Sequence, residues 1–405
     1  MADREFDVVV WGATGFTGAL VVEYLAATYG VGGDLRWAVA GRNAAKLDDV
    51  CKEYLGADAD KLPKILADSG DASSLAEMVA RTKVICTTVG PYALYGTPLV
   101  EACADAGTHY CDLTGEVQWM SQVIPAYEER ARASGARIVH NCGFDSVPFD
   151  MGVWFVQQQM QEQHGVYADE VKGRVGGSRG GASGGTIASM MVMMEEARKD
   201  PSLMKRMADP YVLCPPDART GPDGPDQRSA IYDDDFEQWT SPFVMAAINT
   251  RVVRRTNALL GHPWSTNFRY SESVLNDSKG QARMFGLATG MGMMTLALGP
   301  LRAVAKRFLP KPGEGPSKET RENGYYEAFF LGIDHNDRSH DVKVKVRGEL
   351  DPGYGSTSRM LAESAVSLAK DPISVEGGFW TPASALGEHY LPRLTGPAGL
   401  TFEVV

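Results

Sequence analysis

Close to the N-terminus glycine recurs at every third position, in the run Gly12-Ala13-Thr14-Gly15-Phe16-Thr17-Gly18. Glycines so placed take a tight turn, let an anion approach the backbone, and let a helix lie close on a strand. The chemistry this permits is pyrophosphate binding, with helix-terminal amides and the helix dipole facing the phosphates. Thr14, Phe16 and Thr17 line the same turn. The spacing is GxxGxxG rather than GxGxxG, and no Lys-Ser/Thr pair follows to make a P-loop. About 30 residues after Gly12, an apolar run ends in Arg42, where a site for a free ribose hydroxyl carries an acid. A guanidinium can grip a 2′-phosphate with two hydrogen bonds, so Arg42, with Asn43 and Lys46 beside it, selects NADP. Asp68 falls where an adenine edge is read, and Val89, Gly90 and Pro91 fall where the nicotinamide is bordered. Side chains able to polarise a carbonyl or move a proton near that end are Tyr92, Tyr95, Asp145 and Ser146. No Tyr-x-x-x-Lys pair accompanies them, so short-chain dehydrogenase chemistry is not supported.

These residues need elements to hold them, and the pattern supplies them. Asp7–Trp11 is a buried strand leading into the glycines, and Leu20, Val21, Val22 and Leu25 continue as a helix. Further strands are expected at 35–42, 64–68, 84–89, 109–113 and 136–141. Helices lie between them, one capped by Asp71 or Ser73 and others over 97–106 and 124–133. Strict alternation of strand and helix implies a doubly wound parallel sheet, a Rossmann domain over residues 1–150. Beyond Asp150 the alternation stops. Segments 325–331 and 341–347 read as strands, the second alternating apolar and basic, as in a half-exposed antiparallel sheet. The fold class is therefore α/β, with a second α+β domain on a mixed or antiparallel sheet over 151–350. A C-terminal segment covers 351–405. Pro/Gly-rich stretches at 214–227 and 311–323 read as loops.

Composition excludes several function classes. The 405 residues exceed one ordinary core, and 44% hydrophobic with 22% charged residues is a globular balance. A formal charge of −11 disfavours nucleic acid or an anionic surface as a partner of the whole chain, while leaving local basic patches open. Six cysteines without a CxxC pair, and no His/Cys cluster at ligand spacing, give no metal site. Met1 to Asp7 lacks the apolar core of a signal peptide, so the reducing cytoplasm is expected.

Several runs carry a family likeness. Val89-Gly90-Pro91-Tyr92-Ala93-Leu94-Tyr95-Gly96 resembles the saccharopine dehydrogenase-like oxidoreductases, supported by Tyr110–Glu116, Asn141–Pro148, Gly181–Thr186 and Trp380–Ala383. The likeness is dense up to about residue 195 and reaches both ends of the chain. Within that family it is similar to the actinobacterial trans-acting enoyl reductases, which act on acyl chains carried by polyketide synthases lacking a reductase of their own. The resemblance implies an NADPH-dependent reductase of a lipid-like or carrier-bound enoyl thioester, with a polyketide synthase as partner. It also implies a substrate and dimerisation domain, hence a homodimer, and a helix from Ser356 or Thr357 to about Ala369 packing back on the first domain.

Two apolar stretches bear on substrate and location. After Gly184-Gly185-Thr186, the side chains Ile187, Met190, Met191, Met193 and Met194 form an apolar helix able to line an adaptable acyl pocket or ordinary core. Residues 284–301 carry no charge, then Arg302, Lys306 and Arg307 follow. Four glycines and Pro300 predict a broken or hairpin arrangement, forming a buried interface or tunnel wall. The alternatives are peripheral docking through 284–307 at the inner face of the membrane, and a true span. Two competing functions remain. Saccharopine-type imine reduction would need Arg174, Arg179, Arg251 or Arg254 to clamp carboxylates, and a non-catalytic lipid-associated protein would merely retain NADP.

Overall fold

The computed structural model describes residues 4–181, 184–297 and 313–405. The buried apolar runs of the first third close into one parallel sheet. Its strands β1 (Phe6–Trp11), β2 (Trp37–Gly41), β3 (Lys64–Leu66), β4 (Thr82–Thr87), β5 (His109–Cys111) and β6 (Arg137–Val139) lie in the order β6-β5-β4-β1-β2-β3. Every residue of β1 and β2 is buried, which is why they read as continuous apolar runs. Helices α1 (Phe16–Tyr29), α2 (Ala44–Leu55), α3 (Ala72–Ala80), α4 (Tyr92–Tyr95), α5 (Thr97–Ala106) and α6 (Val117–Ser134) connect them. Asn43 caps α2 and Asp71 caps α3 through side-chain oxygens, whereas no side chain caps α1. Strand order reverses between β1 and β4, so a crevice opens beyond their carboxyl ends.

The remaining chain builds a second, mixed sheet. Its helices are α7 (Val147–His164), α8 (Gly184–Lys199), α9 (Pro201–Met207), α10 (Ala246–Leu259), α11 (Lys279–Ala297) and α12 (Lys318–Glu322). Strands β7 (Glu170–Arg179), β8 (Ile231–Asp233), β9 (Gln238–Ser241), β10 (Arg269–Asn276), β11 (Tyr325–Ile333) and β12 (Val342–Gly348) belong to it. β7 and β10 pair in parallel and the others antiparallel. As expected, β12 alternates buried and half-exposed, with Val342, Val344 and Val346 turned inward. Phe149, Val153, Val156 and Met160 of α7 pack on that face. The C-terminal residues lace the two sheets together. After α13 (Thr357–Lys370), β13 (Gly378–Trp380) joins β6 in parallel; after α14 (Pro382–Thr395), β14 (Leu400–Val404) joins β12. Met360, Leu361 and Ala365 of α13 sit in the core of the first sheet with Val8, Val10 and Val84.

One expectation is overturned. The apolar stretch from Met284 is neither broken nor a hairpin as far as Ala297: α11 runs continuously through Gly286, Gly290 and Gly292. Nor is it a buried wall, since Met284, Phe285, Leu287, Met291 and Met294 are exposed. Of its glycines, Gly286 lies close to a neighbour, where a Cβ would stand 3.3 Å from Pro242 Cδ, while Gly290 and Gly292 face open space. No described helix is long and apolar enough to cross a membrane. Arg302, Lys306, Arg307 and the rest of 298–312 lie outside the described residues, as do Ala182 and Ser183.

Candidate active site

The glycine turn is shaped by close approach on two sides. Gly12 has φ +88°, and a Cβ there would stand 2.6 Å from Val89 Cγ2. A Cβ on Gly18 would stand 2.1 Å from the Gly12 carbonyl oxygen, so only glycine lets α1 start against the turn. Gly15 is extended and leaves the first turn of α1 without a side-chain cap, with Thr14 and Thr17 half-exposed beside it. This uncapped, Cβ-free cradle at a helix N-terminus fits a pyrophosphate. The Phe16 ring lies edge-on to Tyr354 at 5.3 Å, with the Arg321 guanidinium 5.5 Å from its centroid.

At the ends of β2 and β3, Arg42 faces Asp68 at 4.0 Å, and both are largely exposed. The Asn43 side chain is committed to the Lys46 amide at 3.0 Å, and the Lys46 side chain lies in the exposed first turn of α2. Asp68 accepts from the Gly70 amide at 2.8 Å. Arg42 is thus a loosely held cation just past the end of β2.

Beyond β4 the turn Val89-Gly90-Pro91 borders the same crevice, and Val89 packs against Gly12. Tyr92 does not face it. Tyr92 is buried, its hydroxyl donates to the Thr87 carbonyl at 3.2 Å, and its ring stacks on Trp119 at 5.6 Å. Burial, with Asp112 nearby, holds the phenol well above its ordinary range. Tyr95, at the end of α4, is exposed. Asp145 is half-buried beside Gly115, where an added Cβ would stand 3.3 Å from its Oδ2, and burial pushes its carboxyl up to about 6. Ser146 turns inward and donates to Asn249 Oδ1 at 3.2 Å. Asn249 Nδ2 and the Tyr270 hydroxyl donate to the two oxygens of Glu272, at 3.0 and 2.8 Å. Glu272 is buried on β10, which pushes its carboxyl up to about 8.

Sequence reading missed the residues that join the two halves across the crevice. Glu116 accepts the amides of Tyr92 and Ala93 at 2.9 and 2.8 Å and the Ser189 hydroxyl at 2.8 Å. It therefore holds the turn after β4 and α8 together. A Cβ on Gly90 would stand 3.8 Å from Ser189 Oγ, so α8 lies directly over that turn. A second tie, Thr186 Oγ1 to the Tyr354 hydroxyl at 2.7 Å, sits near the phosphate end. Met190, Met191, Met193 and Met194 are half-exposed on α8 rather than core. The mixed polar and apolar run around Glu116 carries no signal that its carboxyl is buried and needs partners.

The saccharopine dehydrogenase NADP binding domain family matches residues 8–139, the span that forms this crevice. Over 421 aligned residues, 99% of this chain and 97% of the other, the sequence is 42% identical to a provisionally named trans-acting enoyl reductase of Mycobacterium tuberculosis. The chain belongs to the trans-acting enoyl reductases of the saccharopine dehydrogenase-like family. A trans-acting enoyl reductase of Mycobacterium leprae is 37% identical over 408 residues, covering 96% of each chain. Among solved structures, apo saccharopine dehydrogenase (L-Glu forming) from Saccharomyces cerevisiae is similar over 99% of this chain and 100% of that one, at 13% identity and a TM-score of 0.49. As a member of this family the protein is an NADP-dependent oxidoreductase. Among the described residues no group of three or more His, Cys, Asp or Glu is placed to hold a metal, and all six cysteines are buried free thiols.

Proposed function

We propose that the protein reduces an enoyl thioester of a long acyl chain carried by a polyketide synthase. The observation that carries this reading is the methionine-bearing helix α8, fastened over the turn after β4 by Ser189 and Glu116. It brings flexible, half-exposed methionine side chains to the neighbourhood of that turn, suited to an alkyl chain of irregular fit. The names of the relatives point the same way. Of the four arginines that could clamp an amino-acid substrate, Arg174 pairs with Asp233, Arg251 with Asp226 and Arg254 with Asp223, while Arg179 is exposed at the end of β7.

In this reading the Gly12–Gly18 turn and Arg42 hold the cofactor at its two phosphate positions, and Val89–Pro91 borders the nicotinamide. Bound NADPH supplies a hydride, which the substrate takes at its β-carbon. The chain's part is to exclude water, orient the thioester and supply a proton for the α-carbon. We assign the proton to Asp145, the half-buried carboxyl beside Gly115, and a packing role to Tyr92. Tyr95 and Ser146 border this end, Ser146 anchoring the Asp145 turn to Asn249.

The test is NADPH consumption with a long-chain enoyl thioester, set beside α-aminoadipate semialdehyde plus glutamate. Turnover of the thioester alone is expected, and turnover of the amino-acid pair alone overturns the reading. Asp145→Asn is expected to lower kcat about 100-fold with NADPH affinity unchanged. Because the acid must hold its proton, wild-type kcat should fall as pH rises through about 6.

A further inference from the structure

α11 presents its large apolar side chains to solvent. Ala282 is buried, and Gly286 approaches Pro242. Outward, Met284, Leu287, Met291 and Met294 follow one another at i, i+3, i+7 and i+10, a single stripe along the helix, each between 58 and 68% exposed. Phe285 is exposed beside them. Beyond β9, against which α11 packs, the edge strand β8 exposes Ile231 and Tyr232 as well. A surface helix ordinarily turns its apolar side chains inward, and a continuous exposed stripe marks a contact surface.

Charge identifies what covers it. Between Asp277 and Glu314 the sequence has no acidic residue and six cations, in a chain whose net charge is −11. Lys279 and Arg283 belong to α11; Arg302, Lys306, Arg307 and Lys311 follow it in sequence. A second copy would bring the same stretch of sequence, with six cations and no acid, and so no complementary charge. An anionic lipid surface satisfies both features, taking the apolar stripe between acyl chains and Lys279 and Arg283 of α11 among headgroups. We propose that α11 docks the protein on an anionic membrane surface, lying in the plane of the interface. The docking stripe is on α11 itself and is independent of the substrate assigned above.

The experiment is co-sedimentation of the full chain with phosphatidylcholine vesicles, with and without phosphatidylglycerol. Wild type is expected to bind the anionic vesicles at least about tenfold more tightly, with the preference weakening in high salt. Leu287→Glu/Met291→Glu should lose about tenfold of that binding while NADPH affinity, the check on folding, stays unchanged. Arg283→Glu, a single change at an exposed position, should reduce the anionic preference and spare NADPH binding. Absence of vesicle binding, or equal binding by wild type and the double variant, overturns the proposal. So does a wild-type dimer that the double variant dissolves without any binding to lipid.

Discussion

Arg42 and Asp68 face each other at 4.0 Å with both side chains open to water. Such a pair contributes about 0–1 kcal/mol, so the guanidinium can turn to a phosphate at little cost. Arg42→Ala should therefore weaken NADPH by about 10- to 100-fold, the worth of a charge-assisted bidentate contact, and leave NADH within about twofold. Fluorescence titration with both cofactors reads this directly, and equal losses would remove Arg42 from the 2′-phosphate. At this scale the sequence was legible wherever backbone geometry dictates the residue. Gly12 and Gly18 have no room for a Cβ. It was illegible wherever a side chain's direction decides. Nothing in the spacing of Tyr92 and Asp145 says that the Tyr92 hydroxyl turns to the Thr87 carbonyl while Asp145 stays half-buried beside Gly115.

Among elements, α8 shows how a second-half helix becomes part of a first-half site. Glu116 keeps two amide donors if Ser189 is removed, so Ser189→Ala should loosen α8 without unfolding the turn after β4. Losing one net hydrogen bond of about 0.5–1.5 kcal/mol should raise KM for the acyl substrate about 3- to 10-fold. NADPH affinity and kcat should stay within about twofold. A lowered Tm with unchanged KM would show that the bond serves stability alone. The first sheet was readable because buried parallel strands are unbroken apolar runs bounded by glycine. β7 and β10 were not. β7 carries Gly173, Gly176 and Gly177 where aromatic side chains cross it, and β10 buries Glu272 on the face where the pattern calls for an apolar residue. α11 failed for the opposite reason: its glycines read as breaks, yet the helix runs through them, with Gly286 close to Pro242 and Gly290 and Gly292 facing open space.

At the scale of the whole molecule, three carboxyls, Asp145, Asp150 and Glu272, sit where the two sheets meet, and burial raises all three. Asp150 accepts the Ala383 amide at 2.8 Å and the Thr256 hydroxyl, joining α7 to α14 and α10. Glu272 joins β10 to α10 and, through Asn249, to Ser146 at the start of α7. A carboxyl raised on folding costs stability as pH rises, because the unfolded chain releases its proton first. For Glu272 the window runs from about 4.5, its ordinary value, to about 8. Below that window both states hold the proton and the full stability is present; above it both have released it and the loss is complete. Glu272→Gln keeps the shape and can still donate to and accept from its neighbours, but it cannot ionise. Urea denaturation at pH 5 and pH 8 should then show the variant losing less stability than wild type over the interval, by on the order of 2–4 kcal/mol. A residual fall should persist, since Asp145 and Asp150 titrate in the same direction with values of about 6 and about 7. An unchanged fall would mean that Glu272 is already ionised and held by Tyr270 and Asn249, and that the join between the sheets tolerates a buried charge.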